Sequence, residues 1–520
     1  MEKTVIVNRD KRYSRLYAFI SLLLICFYLV TELVFQLWYR VAANYGLFLI
    51  VSFIAISFFL RFFNSSKEEK CVVFYAVWVL ITRVLNGDRF LDIEFYFLVR
   101  TVLFTGCFLC IGFVLDAQDR KSFFNLVCAI VCGYWFVLAV IGLYATLSFV
   151  RITLPPSDTT IGCALWGGNY QLTLDNIHRN VTGTWFALAV ILMLYQFISC
   201  KKAVWKALTA IAAVVFYFAT AMSFCRAAQV GLCVAITMLV LLMVFARVSK
   251  KSVKVKAALA ACIIAVCLPL SYAGYGAVTG ICSVISSRLT DGTAEIRILG
   301  ADTVDEATAE SAEEDASDET SFVIEENDEA ETAFEAEENE DIAVVAAEEE
   351  ADETTPIFTE SRGEENVMAL GGRTYLWKAG ILTLKEEPER LVKGGMLGEY
   401  MERVVEICTE LANRKVPDVN SQMHNFLLDS LLLTGIPGAL ILLLFTIFVV
   451  IRMVKVFFST DGSVPMQLKL LTLPLAFLFV DNMMEAHIFR YALVTSILFF
   501  FICGIFLAWS YEVLPAKKRK

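Results

Sequence analysis

Apolar stretches of about 20 residues recur along the chain and are separated by polar segments. A helix rises about 1.5 Å per residue, so a stretch of this length crosses the roughly 30 Å of hydrocarbon in a bilayer. The pattern predicts twelve membrane-spanning helices, at residues 16–38, 45–60, 71–85, 95–115, 123–149, 182–198, 203–222, 227–246, 257–278, 426–450, 468–480 and 492–509. The predicted fold class is therefore an all-α polytopic membrane protein.

Lys and Arg residues in the connecting segments predict how these helices are oriented. Both termini and every second connecting segment lie on one side of the predicted membrane, and together they hold 23 basic residues. The short segments on the other side hold six. Basic residues are retained on the cytoplasmic side of a membrane. We therefore expect both termini in the cytoplasm and two long segments outside, residues 150–181 and a large loop, 279–424, directly before the tenth helix.

Composition agrees with a membrane protein, since 58% of the 520 residues are hydrophobic, but the net charge of −10 is an average of two regions. Residues 301–366 hold 27 acidic residues and one basic residue, Arg362, whereas the rest of the chain holds 43 basic and 27 acidic residues. The acidic insert has too little apolar content to offset the entropy of folding, so we predict that it is disordered. A cation-buffering or partner-docking role is the alternative.

The chain accordingly divides into five predicted parts. The parts are a nine-span region (1–278), an outer segment that contains the acidic stretch (279–366), a folded outer loop (367–424), a three-span region (425–510) and a basic cytoplasmic tail (511–520).

The cysteines predict no disulfide scaffold. Fifteen Cys lie mostly inside apolar runs and show no repeated spacing.

Ionisable residues within the predicted spans or directly at their ends lie in the outer half of the membrane. They are Glu32, Arg83, Arg100, Arg226, Asp429, Asp481 and Glu485. Buried charges are costly and normally face a polar cavity or one another, so the set predicts a cavity open to the outer leaflet. Snorkelling or structural pairing, such as an ion pair of Arg100 with Glu32, is the alternative for each single residue.

All three histidines fall at the predicted outer face, and one of them opens a distinctive motif. They are His178, His424 and His487. His424 and Asn425 are followed by nine residues and then by the sequence Gly-Ile-Pro-Gly at 435–438. The imidazole would stand at the start of the tenth helix, where Asn425 can cap the helix or orient the ring. The Gly-Pro-Gly cluster is expected to kink the helix about three turns further on.

This motif resembles the His-Asn, nine residues, Gly-x-x-Gly signature of the O-antigen ligase and O-antigen polymerase family. Residues 371–377, which include Arg373, look like the family's loop element with an Arg before an aliphatic-aromatic pair. Residues 223–228 look like its Ser-Arg-Ala element, although Phe224 and Cys225 separate the Ser from Arg226. Residues 178–183 are a weaker match to a helix start rich in Asn. The family's architecture covers nearly the whole chain except the acidic insert.

The resemblance implies a bacterial plasma-membrane glycosyltransferase of cell-surface polysaccharide biosynthesis. Such enzymes transfer oligosaccharide from an undecaprenyl diphosphate carrier to an acceptor hydroxyl at the outer face, here with no metal or cofactor expected. Arg226 and Arg373, helped by Arg100, are expected to bind the diphosphate, because guanidinium groups bind phosphate oxygens bidentately. His424 is expected to be the base in an inverting displacement. Supporting or acceptor-binding roles are expected for Asn425, Asp429, Glu485, His487, His178 and Arg179.

The sequence is compatible with two other classes of function. A twelve-span transporter or lipid-linked oligosaccharide flippase is the main alternative, and the scarcity of charges at the predicted midplane argues against it. A structural or receptor-like protein that works through its acidic loop is a third possibility. Some polymerases of the family carry an Arg, then ten residues and then a Gly. The corresponding position is Thr237 after Arg226 and Leu384 after Arg373, so neither arginine fits this pattern. Polymerase and ligase therefore stay undistinguished, as do the donor sugar, the acceptor and the linkage.

Overall fold

A computed structural model of the chain describes the long helices and the segments around their ends. The described residues are 11–34, 66–86, 106–154, 159–166, 169–174, 179–248, 252–290, 296–299, 368–395, 397–412, 423–459, 464–485 and 493–514. Every structural statement below concerns these residues. The predicted span at 45–60, the acidic stretch at 301–366 and the terminal segment 515–520 lie outside them, as do Arg100, His178 and His487.

Most of the described chain is α-helical, as the apolar pattern predicts. The helices are α1 (Lys11–Val34), α2 (Lys67–Leu85), α3 (Ala117–Leu147), α4 (Arg179–Ser199), α5 (Ala203–Met222), α6 (Arg226–Arg247), α7 (Val253–Leu289), α8 (Met368–Glu386), α9 (Arg390–Lys393), α10 (Leu397–Ala412), α11 (Phe426–Phe457), α12 (Met466–Leu470), α13 (Thr472–Met484) and α14 (Leu493–Val513). Residues 106–114 are also helical.

Seven of the described helices are long and apolar enough to cross a membrane, which makes the chain a membrane protein. They are α3 to α7, α11 and α14. The predicted span at 468–480 is instead divided at Leu471 into α12 and α13, and the span at 71–85 lies within α2, whose first turn is charged. α7 has 37 residues, about 55 Å of helix, and is therefore longer than the hydrocarbon layer is thick.

Two of these helices are central and two are peripheral. Almost every side chain is buried along the first 15 residues of α4 and along α14 from Val494 to Ala508, as expected for helices that are apolar on all faces. Trp135 of α3 stacks on Trp185 of α4 with their ring centroids 5.5 Å apart. α5 and α7 instead expose large apolar side chains, such as Trp205 and Leu270, which suits contact with lipid.

Three strands between α3 and α4 and a fourth after α7 form a sheet that the all-α prediction does not include. Its strands are β1 (Val150–Leu154), β2 (Thr159–Trp166), β3 (Asn169–Leu174) and β4 (Arg297–Leu299), in the spatial order β3-β2-β1-β4. β1, β2 and β3 are antiparallel neighbours, whereas β4 pairs with β1 in parallel. Ile161, Cys163, Leu172 and Leu174 form its fully buried face. The sheet thereby covers the end of α3 beside the first turn of α4.

The predicted kink in the helix after His424 is confirmed. Gly435 breaks α11 with φ 66° and ψ −175°, a backbone conformation that residues other than glycine rarely adopt. The carbonyl groups freed by the break receive donors from α2: Trp78 Nε1 donates to Thr434 O at 2.7 Å, and Arg83 Nη2 to Leu433 O at 3.1 Å. Arg83 is 4% exposed, so it supports the broken helix and does not line an open cavity.

α8 and α10 pack beside the first half of α11 around a small apolar core of their own. It contains Leu376, Ala379, Leu384, Val404, Ile407, Cys408, Met423, Leu432 and Leu433. Both helices lie within the segment 367–424 that the sequence predicts to be folded. Because Met423 belongs to this core, the residue that follows it, His424, is attached to packed structure.

Candidate ionic site at one end of the bundle

Five elements bring polar residues together at one end of the helix bundle, which is called the site end below. α4, α6 and α11 begin there, α13 ends there, and α8 passes beside them. The contacting residues are Asn180, Cys225, Arg373, His424 and Glu485. The residues of each contacting pair are 45 to 305 positions apart in the sequence, so tertiary packing brings them together.

Glu485 lies at the centre of the group. It follows the last residue of α13, and only 1% of the residue is exposed. Oε1 accepts a hydrogen bond from Asn180 Nδ2 at 2.8 Å and also forms an ion pair with Arg373 Nη2. Oε2 lies 2.6 Å from His424 Nδ1. A buried carboxylate is stable only when it is paired and hydrogen-bonded, and Glu485 meets this requirement through three other elements.

The contact with Glu485 sets the tautomer of His424. An ionised carboxylate has only acceptor sites, so Nδ1 must carry the proton that it donates to Oε2. Nε2 then presents a lone pair. No described residue hydrogen-bonds to Nε2, and 23% of the side chain is exposed. This arrangement leaves a base directed away from Glu485, with a carboxylate behind it to stabilise the imidazolium that forms when Nε2 takes a proton.

The backbone of His424 is strained and is held from both sides. Its φ is +49°, in the left-handed region that costs a residue with a side chain about 1 kcal/mol or more. On one side, Met423 N donates to Asp429 Oδ1 at 3.1 Å, and Met423 O accepts from Trp377 Nε1 at 2.6 Å. The surrounding structure therefore imposes the conformation that places the imidazole next to Glu485.

On the other side, Asn425 caps α11, as its position in the sequence predicts. Its Oδ1 accepts hydrogen bonds from the backbone N–H groups of Leu427 and Leu428, each at 3.1 Å, and its Nδ2 donates to Met483 O at 3.3 Å. Asn425 thus links the start of α11 to the end of α13, the helix that positions Glu485. Asp429 is 4% exposed and accepts from Met423 N, so it supports the loop before α11.

Arg373 reaches Glu485 from the early part of α8. Its side chain is 21% exposed, and it shares Oε1 of Glu485 with Asn180. One turn further along α8, Trp377 holds the residue before His424, so a single helix supports both sides of the His424–Glu485 pair. The predicted Arg373 motif therefore joins the histidine motif in space, although its main contact is a carboxylate.

Arg179 and Arg226 supply two further positive charges at the first residues of α4 and α6. Arg179 Nη1 donates to Gln171 Oε1 of β3 at 3.2 Å. Arg226 is half-buried and forms neither an ion pair nor a side-chain hydrogen bond with any residue that the structure describes. The charges of Arg226, Arg373 and Glu485 all act on Arg179, so the three guanidinium groups share one electrostatic environment. Helix N-termini add partial positive charge to it.

The turn between α5 and α6 places Arg226 at the site end. Phe224 has φ +49°, and the next residue, Cys225, is fully buried and donates from Sγ to Asn180 O at 3.5 Å. Burial raises the pKa of the Cys225 thiol. The thiol therefore stays protonated at neutral pH and is a packing group, not a nucleophile.

A second acidic residue lies one turn deeper on α13. Asp481 is fully buried, and its Oδ1 accepts a hydrogen bond from Thr184 Oγ1 at 2.9 Å. It ties α13 to α4 below Glu485. Among the described residues, no group of three or more His, Cys, Asp and Glu side chains is arranged to hold a metal ion.

Sequence reasoning assigned no role to two residues of the group, Asn180 and Cys225, or to Gln171, which contacts Arg179. Asn180 follows directly on the predicted residue Arg179, and its position at a helix start was the available signal. Gln171 belongs to the unpredicted sheet. Its 2% exposure is that of a buried polar side chain, which sequence alone does not reveal. The side chain of Glu32 and the whole of Arg100, His178 and His487 lie outside the described part of the chain.

The fold and site define a helical membrane protein with a histidine–carboxylate pair and an arginine cluster at one end of its bundle. A scan of the chain against models of known protein families finds no match, and a search of curated proteins finds none either.

Proposed function

We propose that the chain is a membrane glycosyltransferase of the polymerase or ligase type, which transfers oligosaccharide from a polyprenyl diphosphate carrier to an acceptor hydroxyl. The observation that supports this most is the pairing of His424 with buried Glu485 beside three arginines. A base and an excess of positive charge are the two requirements for displacing a diphosphate by a hydroxyl. The resemblance of the His-Asn motif to the O-antigen family supports the same activity.

The proposed reaction is one inverting displacement. Nε2 of His424 takes the proton of the acceptor hydroxyl as its oxygen attacks the anomeric carbon. The bond from that carbon to the diphosphate oxygen breaks, and the electron pair leaves with the polyprenyl diphosphate. Glu485 stabilises the imidazolium, while the arginine cluster stabilises the negative charge on the leaving group. Polymerase and ligase differ only in which hydroxyl approaches His424.

The site end would face outward from the plasma membrane of a bacterium. This placement rests on the distribution of Lys and Arg, which also favours twelve spans and cytoplasmic termini. An enzyme placed in this way would build cell-surface polysaccharide from lipid-linked precursors. Three of the seven span-length helices, α4, α6 and α11, begin at the site end.

The direct test is product analysis with purified protein in lipid vesicles. Undecaprenyl-diphosphate oligosaccharide is supplied with either more of itself or a different glycan acceptor. Longer lipid-linked glycans would identify a polymerase, and glycan on the second acceptor would identify a ligase. Movement of the lipid-linked oligosaccharide across the vesicle membrane without any covalent change would instead identify a flippase and overturn the proposal.

His424→Ala tests the assignment of the base in the same assay. General base catalysis contributes about 10²- to 10⁴-fold to a rate, so product formation should fall by that factor. Because Met423 and Asn425 hold the loop independently of the imidazole, the thermal midpoint and donor binding should stay close to wild type. Substantial remaining activity would remove His424 from this role.

A further inference from the structure

Helices α4 to α7 form from a stretch of the chain that contains no acidic residue. Residues 176–290 hold 11 Lys and Arg residues and no Asp or Glu. Eight of the basic residues fall at positions 201–206 and 247–256, around the turns that join α4 to α5 and α6 to α7. Because α4 and α6 begin at the site end, both turns lie at the opposite end of the bundle, and no carboxylate of this stretch offsets their charge.

The turn before α5 and the first half of α5 present this charge together with exposed apolar side chains. Lys201 and Lys202 are exposed and directly precede the first residue of α5. Val204, Leu208 and Ile211 recur at a spacing of four and three residues, so they lie on one side of the helix, and at least half of each residue is exposed. These five residues form what is called the α5 face below. An apolar stripe that ends at a pair of lysines matches the arrangement of acyl chains and headgroup in a phospholipid.

Trp205 and Lys206 indicate where a headgroup layer would meet this surface. Trp205 is 55% exposed and belongs to the first turn of α5, beside the α5 face. Tryptophan is enriched at the boundary between headgroups and hydrocarbon. Lys206 Nζ lies 5.8 Å from the centroid of the Phe197 ring on α4, so its charge is held next to the turn. Lys201 and Lys202 form no ion pair with any residue that the structure describes.

The other flank of the same end carries its basic residues beside acids. Lys121 of α3 lies two residues after Asp119. Lys67 of α2 is followed directly by Glu68 and Glu69. A headgroup that approaches α2 and α3 meets charges of both signs, whereas α4 to α7 offer it positive charge alone. The charge at this end of the bundle is therefore asymmetric.

We propose that the α5 face binds an anionic phospholipid, whose phosphate lies at Lys201 and Lys202 and whose acyl chains lie along Val204, Leu208 and Ile211. All phospholipids carry a phosphate, but a zwitterionic lipid also carries a cation, which the two lysines repel. A headgroup with a net negative charge is therefore preferred. The basic residues around the α6–α7 turn add positive potential at the same end. This binding site lies at the other end of the bundle from the candidate ionic site and does not depend on the proposed transfer reaction.

The quenching of Trp205 by brominated lipid tests this assignment. The full-length protein is reconstituted in phosphatidylcholine bilayers that contain increasing fractions of dibrominated phosphatidylglycerol or dibrominated phosphatidylcholine. The chain has eight Trp, so the fluorescence of Trp205→Phe is subtracted to isolate the signal of Trp205. Each lysine near an anionic lipid surface contributes about fivefold to an affinity, so phosphatidylglycerol should bind about tenfold or more tightly than phosphatidylcholine.

Charge variants show whether Lys201 and Lys202 cause this preference. Replacing both by Gln should bring the two binding constants to within about twofold of each other, whereas Lys201→Arg with Lys202→Arg should keep the preference. Lys67→Gln with Lys121→Gln is the matched control, because it removes two exposed lysines from the flank formed by α2 and α3. The control should leave the preference unchanged.

Salt provides a test that needs no substitution. At about 1 M salt the Debye length falls to about 3 Å, so the preference of the wild-type protein should fall several-fold. Equal quenching by the two lipids in the wild-type protein, or an equal loss of preference in the Lys67 and Lys121 control, would overturn the proposal. The lysines before α5 would then serve only to orient the chain in the membrane.

Discussion

The two ends of the helix bundle can be compared through their buried arginines. At the end opposite the site, Arg120 in the first turns of α3 is 2% exposed and saturated with acceptors. Its Nε donates to Gly112 O at 2.8 Å, Nη2 donates to Leu115 O at 2.9 Å, and the fork binds both carboxylate oxygens of Glu512 at 2.9 and 3.0 Å. Arg120 thus joins three helical segments, and each of its three guanidinium nitrogens donates to an acceptor.

A second group at that opposite end is balanced in the same way. The hydroxyl of Tyr511 donates to Glu68 Oε2 at 2.8 Å, and the guanidinium of Arg452 lies over the Tyr511 ring at 3.6 Å. One acid, one phenol and one cation therefore link α2, α11 and α14. Each charge here is matched by a group of this chain.

The site end is different because several groups share one carboxylate there. Among the described residues, Glu485 contacts Arg373, Asn180 and His424, and its charge also acts on Arg179. The side chains of Arg373 and His424 are 21% and 23% exposed, whereas that of Arg120 is 2% exposed. We propose that a substrate binds at this partly exposed end.

The largest effect on stability is expected from breaking the saturated end. Arg120→Ala leaves Glu512 and two carbonyl groups without their donor, so the free energy of unfolding should fall by about 3 kcal/mol. Thermal unfolding in detergent measures this. Glu512→Gln is the control, because the Glu512 side chain is 45% exposed and the change leaves the hydrogen bonds of Arg120 to the two carbonyl groups in place. The free energy of unfolding should then fall by less than about 1 kcal/mol. Equal losses would show that the ion pair, not the burial of Arg120, dominates.

A smaller effect, on rate, is expected at the site end. Glu485→Gln keeps the shape of the side chain but removes the charge that orients His424 and pairs with Arg373. Removing such an orienting carboxylate typically costs about tenfold to a hundredfold in activity, and the transfer assay should show a loss of this size. Glu512→Gln, the same change at the opposite end, should leave transfer unchanged. If the two variants behave alike, the two ends do not differ as argued.

The smallest effect is expected from deleting residues 302–360, which hold 25 of the 27 acidic residues of the stretch 301–366. The residues of both ends lie outside this segment, so transfer should stay measurable and the thermal midpoint close to that of the full chain. Loss of activity with folding intact would give the acidic segment a role in the reaction.

The helices and the main motifs could be predicted from the sequence, since each depends on local pattern. Apolar length predicted the long helices, and the residue types at 424, 425 and 435 predicted a histidine at a capped helix start followed by a kink. The sheet between α3 and α4 was not predicted, because its short strands, including β4 more than 120 residues further on, gave no periodic signal strong enough to stand out among apolar spans.

Which charges meet could be predicted only in part. Placing Arg179, Arg226, Arg373 and Glu485 at one face followed from topology, but the partners of each depend on tertiary contacts. Arg83 illustrates the limit: its depth in a predicted span suggested a cavity, whereas the structure uses it to hold a carbonyl of the broken helix. Depth in the membrane gives the position of a charge, and only packing gives its partner.

In the proposed reaction, Glu485 holds His424 with the proton on Nδ1 and leaves Nε2 as the base. The chain has three histidines, so ¹⁵N-histidine labelling gives few signals, and the spectrum of His424→Gln identifies the one from His424. At a pH where the imidazole is neutral, the signal should show a protonated Nδ1 and an unprotonated Nε2, and Glu485→Gln should remove this preference. A protonated Nε2 in the wild-type protein would contradict the account.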